Sequence, residues 1–282
     1  MLNVEKIDRP RFREYTLEEL VEGKSPEKYD LVQLKMDGIW GCMTMKDGEY
    51  TITSRTGKVK ADGFYEYGGI SSDAVILGEF MKGSHWGHKM GYDGMFFAFD
   101  CLKVGGKDIA HLPLIDRLQA LADVRMPDFC EILEMWSSEM WDVLWYNEVI
   151  EKHYEGLVFK QSTASYDTPK AWSRLKNTVE IEYMCLGMEP ADPESKYAGL
   201  AGAVIGTLVD RPLAVKCGGL SEDMRHEFTE HPERYTGQVF TAKGNGWYPS
   251  GTIRHPKFKC WRDDKEVEEC TYDQVPEIIR ES

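Results

Sequence analysis

The sequence predicts an α+β chain of two domains, a mixed domain of antiparallel sheets with packed helices over 1–180 and a small OB-fold β-barrel over 181–282. Two observations carry this. Up to Lys176, strand-like runs are interleaved with helical spacing of apolar residues. After it, short strand-like runs follow one another with a single helix between them.

In chain order, Thr16-Leu-Glu-Glu19 has the form of a helix capping box and Gly23 supplies the stop, which predicts a brief first helix. From Tyr29 to Ser54 the pattern is strand-like. Asp47-Gly48 between GCMTM and EYTITS is a hairpin signal, and Lys35 falls at the end of a strand. Further strands are read at 74–81, 94–102 and 155–160, a helix through Leu114, Leu118 and Leu121, and another over Ser138 to Lys152. The second domain is read as five strands, in IEYMCLGM, GAVIGTLV, LAVKCG, GQVFTAKG and KFKCW, with a helix near Ser221 to Glu230. No repeat or low-complexity segment is visible.

Composition narrows the function. No run approaches the roughly 20 apolar residues of a membrane helix, and the amino terminus lacks the layout of a secretory signal. A monomer in the cytoplasm (the host cytoplasm if phage-encoded), with no membrane association, is expected. Seven widely spaced cysteines without a CxxC pair indicate reduced structural thiols. Net charge is −14, and both sides of residue 180 are acidic, so any nucleic acid must be held by local positive patches. Lys6, Arg9, Arg11 and Arg13 form one basic patch, open between DNA contact and a solvated face. His85 and His88 have a ligand-like spacing but no third partner in the pattern, which favours a surface loop.

The most informative stretch is KMDGIW at 35–40. SRTG (54–57), GEF (78–80), FAFD (97–100), EGLVFK (155–160), AWSRLK (171–176) and RHPKFKCWRDDK (254–265) follow in order. Together they resemble the covalent nucleotidyltransferase superfamily, and the closing motif resembles ATP-dependent DNA ligases, in their short phage-type form with an adenylation domain and an OB domain. The resemblance spans 30–265. It implies nucleotidyltransferase chemistry on ATP with magnesium, manganese being a possible substitute, and nicked duplex DNA as partner. With only 34 residues before Lys35, the extra domain of NAD-dependent ligases is not expected, and ATP is the expected cofactor.

By that resemblance, Lys35 carries AMP as a phosphoramidate and Asp37 orients the site. The attacking amine must be neutral, whereas an ordinary lysine with pKa near 10.4 is deprotonated only on the order of one part in a thousand at neutral pH. Arg174 and Lys176 are the neighbouring cations expected to favour the neutral form. The resemblance further implies that Glu79 binds the ribose, Phe99 stacks on adenine with Phe97 as the alternative register, and Glu155 holds the metal. Arg55 is expected to contact AMP or the nick's 5′-phosphate, and Gln33, where many relatives have Glu, to read adenine. Trp40 stands where the family usually has Arg, which shifts phosphate contact onto Arg55. Arg262, Asp263 and Lys265 are expected to orient the departing pyrophosphate, with the OB domain reorienting about a hinge near 177–183.

The same motifs leave other readings open. An RNA ligase or a GTP-dependent capping guanylyltransferase uses the same lysine chemistry, and a catalytically idle nucleic-acid binder would keep the fold without forming the adenylate.

Overall fold

The computed structural model describes residues 13–23, 28–66, 73–248 and 250–280. The chain divides into two compact units, Met1–Lys176 and Asn177–Ser282.

The first unit contains two sheets. One has strands in the order Arg13–Tyr15, Trp172–Lys176, Gly156–Lys160, Leu31–Lys35 and Trp136–Ser137; the first pair is parallel and the rest antiparallel. The larger sheet runs Val59–Phe64, Glu49–Ser54, Ile39–Lys46, Ala74–Phe80, Phe96–Val104 and Lys107–Asp108, with Cys130–Ile132 added in parallel to Phe96–Val104. Alternation along the smaller sheet decides what faces where. Val32, Leu34, Leu157, Phe159 and Leu175 are buried in one apolar cluster. On the other face the register aligns Gln33 with Val158 and Arg174, and Lys35 with Gly156 and Lys176.

The local signals read from sequence have physical counterparts. Thr16 Oγ1 accepts the Glu19 N–H at 3.2 Å while the Glu19 carboxylate accepts the Thr16 N–H at 3.0 Å, opening the helix Leu17–Val21. Asp47 and Gly48 both adopt positive φ, 49° and 81°, as a two-residue hairpin turn between paired strands requires. The helix through Leu114, Leu118 and Leu121 spans Leu114–Ala122.

Two expectations are corrected. Ser138 to Lys152 is a succession of a 3₁₀ turn (Ser138–Met140), one α turn (Trp141–Leu144) and a π turn (Trp145–Ile150). The wider turn is closed by the Glu151 N–H donating to Tyr146 O, five residues back, and it accompanies burial of Leu144, Trp145 and Val149. His85–Lys89 is a short helix capped by Ser84 rather than a loop.

The second unit is a five-stranded antiparallel sheet in the order Val215–Cys217, Ala201–Thr207, Val179–Pro190, Val239–Gly244 and Lys257–Trp261. Ser221 caps the helix Glu222–Glu230, whose Phe228 is buried in the apolar cluster formed with these strands. The two edge strands are joined at their ends by a parallel bridge between Gly218 and Lys257, with Phe258 N–H donating to Gly218 O at 2.9 Å. Residues 179–183, expected to flex, are laddered to 240–244, which leaves Asn177 and Thr178 as the non-strand segment. All seven cysteines are free, and among the described residues no helix is long and apolar enough to cross a membrane.

Candidate active site

The Glu155 carboxylate sits at the start of the Gly156–Lys160 strand and is almost fully buried. Its Oε2 is ion-paired with Lys35 Nζ, and its Oε1 with Lys176 Nζ at 2.8 Å. Sheet register builds this triad. Lys35 and Lys176 flank Gly156 on opposite sides, and the Glu155 N–H donates to Lys35 O at 3.2 Å. Only glycine fits between them, because a Cβ at 156 would run into the carbonyl oxygen of Leu175. Burial pushes the Glu155 carboxyl up, but the charges and hydrogen bonds of Lys35 and Lys176 outweigh it and hold it below the usual carboxylate value.

The triad borders a pocket enclosing about 480 Å³ of space partly open to solvent. Its walls are Gln33, Leu34, Lys35, Met36, Trp40, Glu79, Phe99, Leu133, Val158, Lys160 and Trp172. Gln33 is buried and its Nε2 donates to Leu133 O at 3.0 Å, leaving the amide oxygen as its acceptor. Trp40 and Glu79 are cross-strand partners. Phe99 meets Trp172 edge to face, with ring centroids 5.7 Å apart. Phe97 instead packs in the core against Tyr92 at 5.1 Å.

Five residues named from sequence, Gln33, Lys35, Trp40, Glu79 and Phe99, line this pocket, and Glu155 and Lys176 join it through Lys35. Others stand apart. Arg174 donates to Glu14 Oε2 at 3.1 Å, so of the two expected cations Lys176 is the one at Lys35's carboxylate. Arg55 lies in an exposed turn and is not part of the pocket wall. Asp37 is half-buried immediately after Met36 of the wall. Of the basic patch, Lys6, Arg9 and Arg11 lie outside the described residues, and Arg13 lies over the Tyr15 ring at 4.3 Å. Among the described residues no group of three His, Cys, Asp or Glu is arranged to hold a metal.

Sequence reasoning missed Lys160 and Trp172. Lys160 is buried, donates to Phe99 O at 3.0 Å and stands over the Trp172 ring at 4.2 Å. The signal was available. Strand alternation from Gly156 puts Val158 and Lys160 on the face of the pocket.

In the second unit, Arg262 forks onto Asp264 at 2.7 and 2.8 Å and donates to Glu182 Oε1 at 2.8 Å. The acid paired with Arg262 is Asp264, whose carboxyl is held down at about 2 by those hydrogen bonds. Lys265 is paired with Glu269 at 2.7 Å, one helical turn on.

Residues 75–176 match the ATP dependent DNA ligase domain family. A probable DNA ligase of Saccharopolyspora erythraea is 25% identical over 212 residues, covering 64% of this chain and 41% of the relative. The chain therefore spans about two fifths of that relative's length. Among solved structures, a Lig E DNA ligase described as binding DNA with a minimal scaffold superposes with a TM-score of 0.62 at 18% identity, over 91% of this chain and 100% of that one. Pmar-Lig_Pre superposes at 0.59 and 18% identity, over 91% and 68%. The first unit thus has the fold of a ligase adenylation domain.

Proposed function

We propose that this chain, which carries an ATP-dependent DNA ligase domain, is an ATP-dependent DNA ligase that seals nicks between a 5′-phosphate and a 3′-hydroxyl in duplex DNA, acting as a monomer in the cytoplasm. The observation that carries the reading is the Lys35–Glu155–Lys176 triad at the rim of a pocket lined by aromatic rings and by the polar side chains of Gln33, Glu79 and Lys160.

In this reading adenine enters against Phe99, with the Gln33 amide oxygen accepting from its amino group, and Glu79 takes the ribose hydroxyls. Lys35 Nζ attacks the α-phosphorus, a P–N bond forms and pyrophosphate leaves. The lysine gives up a proton as it attacks, and Glu155 Oε2 is the acceptor its Nζ already faces. Lys176 stays beside the reacting phosphate as a fixed positive charge, the kind of preorganised stabilisation that lowers phosphoryl-transfer barriers. AMP then passes to the nick's 5′-phosphate, and the 3′-hydroxyl displaces it.

A single buried carboxylate fits magnesium arriving with the triphosphate, since that ion takes one or two protein carboxylates together with phosphate oxygens and water. Glu155 would hold it, manganese could substitute, and the ion would neutralise phosphate charge. The second unit is read as an OB barrel, a reading supported by the Gly218–Lys257 bridge between its edge strands. The hinge is assigned to Asn177 and Thr178, and Arg262, Asp263 and Lys265 are assigned to pyrophosphate.

The test is ATP- and magnesium-dependent sealing of a 5′-phosphorylated nick in all-DNA and all-RNA duplexes, with Lys35→Ala as control. Sealing of DNA alone, lost in the variant, is the expected result. Sealing of RNA in preference points to an RNA ligase, adenylate replaced by guanylate to a capping enzyme, and no covalent nucleotide on folded protein to an idle binder.

A further inference from the structure

Three lysines on the rim of the larger sheet are left over by the nucleotide site. Lys58 closes the turn after Glu49–Ser54, where Ser54 N–H donates to Lys58 O at 2.9 Å. Lys60 is the extra residue of a β-bulge, because Ile52 pairs with Ala61 and Thr53 with Val59. A bulge bends an edge strand and re-aims the side chain it carries. Lys82 comes three residues after Glu79 of the pocket, and its Nζ donates to the carbonyl of that same bulged Lys60 at 3.3 Å. This end of the sheet is the pocket end: Ser54 is paired with Gly41, next to Trp40, and Trp40 with Glu79.

These lysines also lack the carboxylate partner that several other cations of the unit have. Lys35, Lys176, Arg117, Arg174 and Lys152 each meet a carboxylate. Lys58, Lys60 and Lys82 have no ion pair among the described residues, although acids outnumber bases 48 to 34 in the chain. The nearby Asp93 is engaged elsewhere, accepting from Gly83 N–H and lying 4.0 Å from His88. Three cations held together by backbone geometry and left uncompensated in an acidic protein offer a binding edge for a polyanion.

We propose that Lys58, Lys60 and Lys82 form a backbone clamp that grips the phosphodiesters of duplex DNA beside the adenylation pocket. This surface rests on the ligase reading and names how that substrate is held. The contacts are to phosphates, so they set affinity and register and read no sequence.

The experiment is binding of a fluorescent, 5′-phosphorylated nicked duplex as a function of salt. It compares the wild-type chain with the triple variants Lys58→Ala/Lys60→Ala/Lys82→Ala and Lys58→Arg/Lys60→Arg/Lys82→Arg. Formation of Lys35-AMP from ATP, a reaction without DNA, reports that each is folded. The expected result is a log–log salt slope shallower by about one per lysine in the alanine variant, with the wild-type slope kept by arginine. An alanine variant that is adenylated and keeps both affinity and slope overturns the clamp and leaves the ligase reading intact. A wild-type chain that is adenylated but neither binds nor seals the nick overturns both.

Discussion

The Lys160 ammonium donates to the carbonyl of Phe99 at 3.0 Å, and in doing so joins a strand of the smaller sheet to a strand of the larger one. It also stands 4.9 Å from the Phe99 ring and 4.2 Å from that of Trp172, so one buried cation fixes two aromatic walls of the pocket. Behind it, Asp100 and Arg117 form a fully buried bidentate pair. Burial drives the Lys160 pKa down to about 7, with Asp100 pulling it back up and Arg117 pushing it further down.

That shift has a stability signature. The folded value of about 7 lies below the roughly 10.4 of an unfolded lysine. Between those limits the unfolded chain binds the extra proton, so stability rises with pH across the window, while below about 7 the full cost of a buried charge is present. Lys160→Met is expected to gain stability relative to wild type at pH 6 and to lose that advantage by pH 9. Urea unfolding at both pH values measures it; an identical difference at the two would count against the assignment.

The neighbouring pair should behave in the opposite sense. Arg117 has no exposed surface, and besides Asp100 it reaches Leu112 O at 2.6 Å and Ala164 O at 3.1 Å. Asp100→Asn strands that charge in the interior and is expected to cost about 3–5 kcal/mol. Breaking the solvated Lys152–Glu148 pair by Lys152→Ala should cost no more than about 0.5 kcal/mol. Denaturant midpoints for the two variants, measured side by side, test whether burial rather than pairing sets the scale.

Local elements were legible in the sequence because each rests on short-range chemistry. The Thr16–Glu19 box, the Asp47-Gly48 turn and the alternation around Lys35 need no knowledge of the rest of the chain. Long-range partners were less accessible. That Arg174 meets Glu14, 160 residues earlier, follows from the parallel pairing of Arg13–Tyr15 with Trp172–Lys176, a strand too short to announce itself. The π turn at Trp145–Ile150 hid behind an ordinary helical pattern. Which of the adjacent acids Asp263 and Asp264 meets Arg262 is set by backbone geometry, and it is Asp264. Lys160 was written in the EGLVFK motif, yet its burial could be seen only once the second sheet closed over it.

Glu155→Gln keeps the shape of the triad and removes the charge between Lys35 and Lys176. Formation of Lys35-AMP should then slow by about 10²–10³-fold, the scale at which a preorganised electrostatic partner contributes. Single-turnover labelling with α-labelled ATP gives the rate, and unchanged thermal unfolding shows that the fold is retained. A loss under threefold would remove Glu155 from the chemistry and leave it a structural bridge.

Arg262 presents a sharper division. Its guanidinium is shared between Asp264 and Glu182; the Asp264 hydrogen bond, helped by the two carboxylate charges and opposed by burial, raises its pKa above the usual arginine range. An arginine assigned to pyrophosphate has to exchange these carboxylates for phosphate oxygens during enzyme adenylation, and it has no such task once AMP is on the nick. Arg262→Ala is accordingly expected to slow adenylation by about 10²-fold or more while sealing of a pre-adenylated nick stays within a few fold of wild type. Asp264→Asn weakens the competing fork, so its adenylation rate should equal or exceed that of wild type. Equal losses in the two assays for Arg262→Ala, or a slowed adenylation in Asp264→Asn, would instead make the Arg262–Asp264 fork part of the second unit's own architecture.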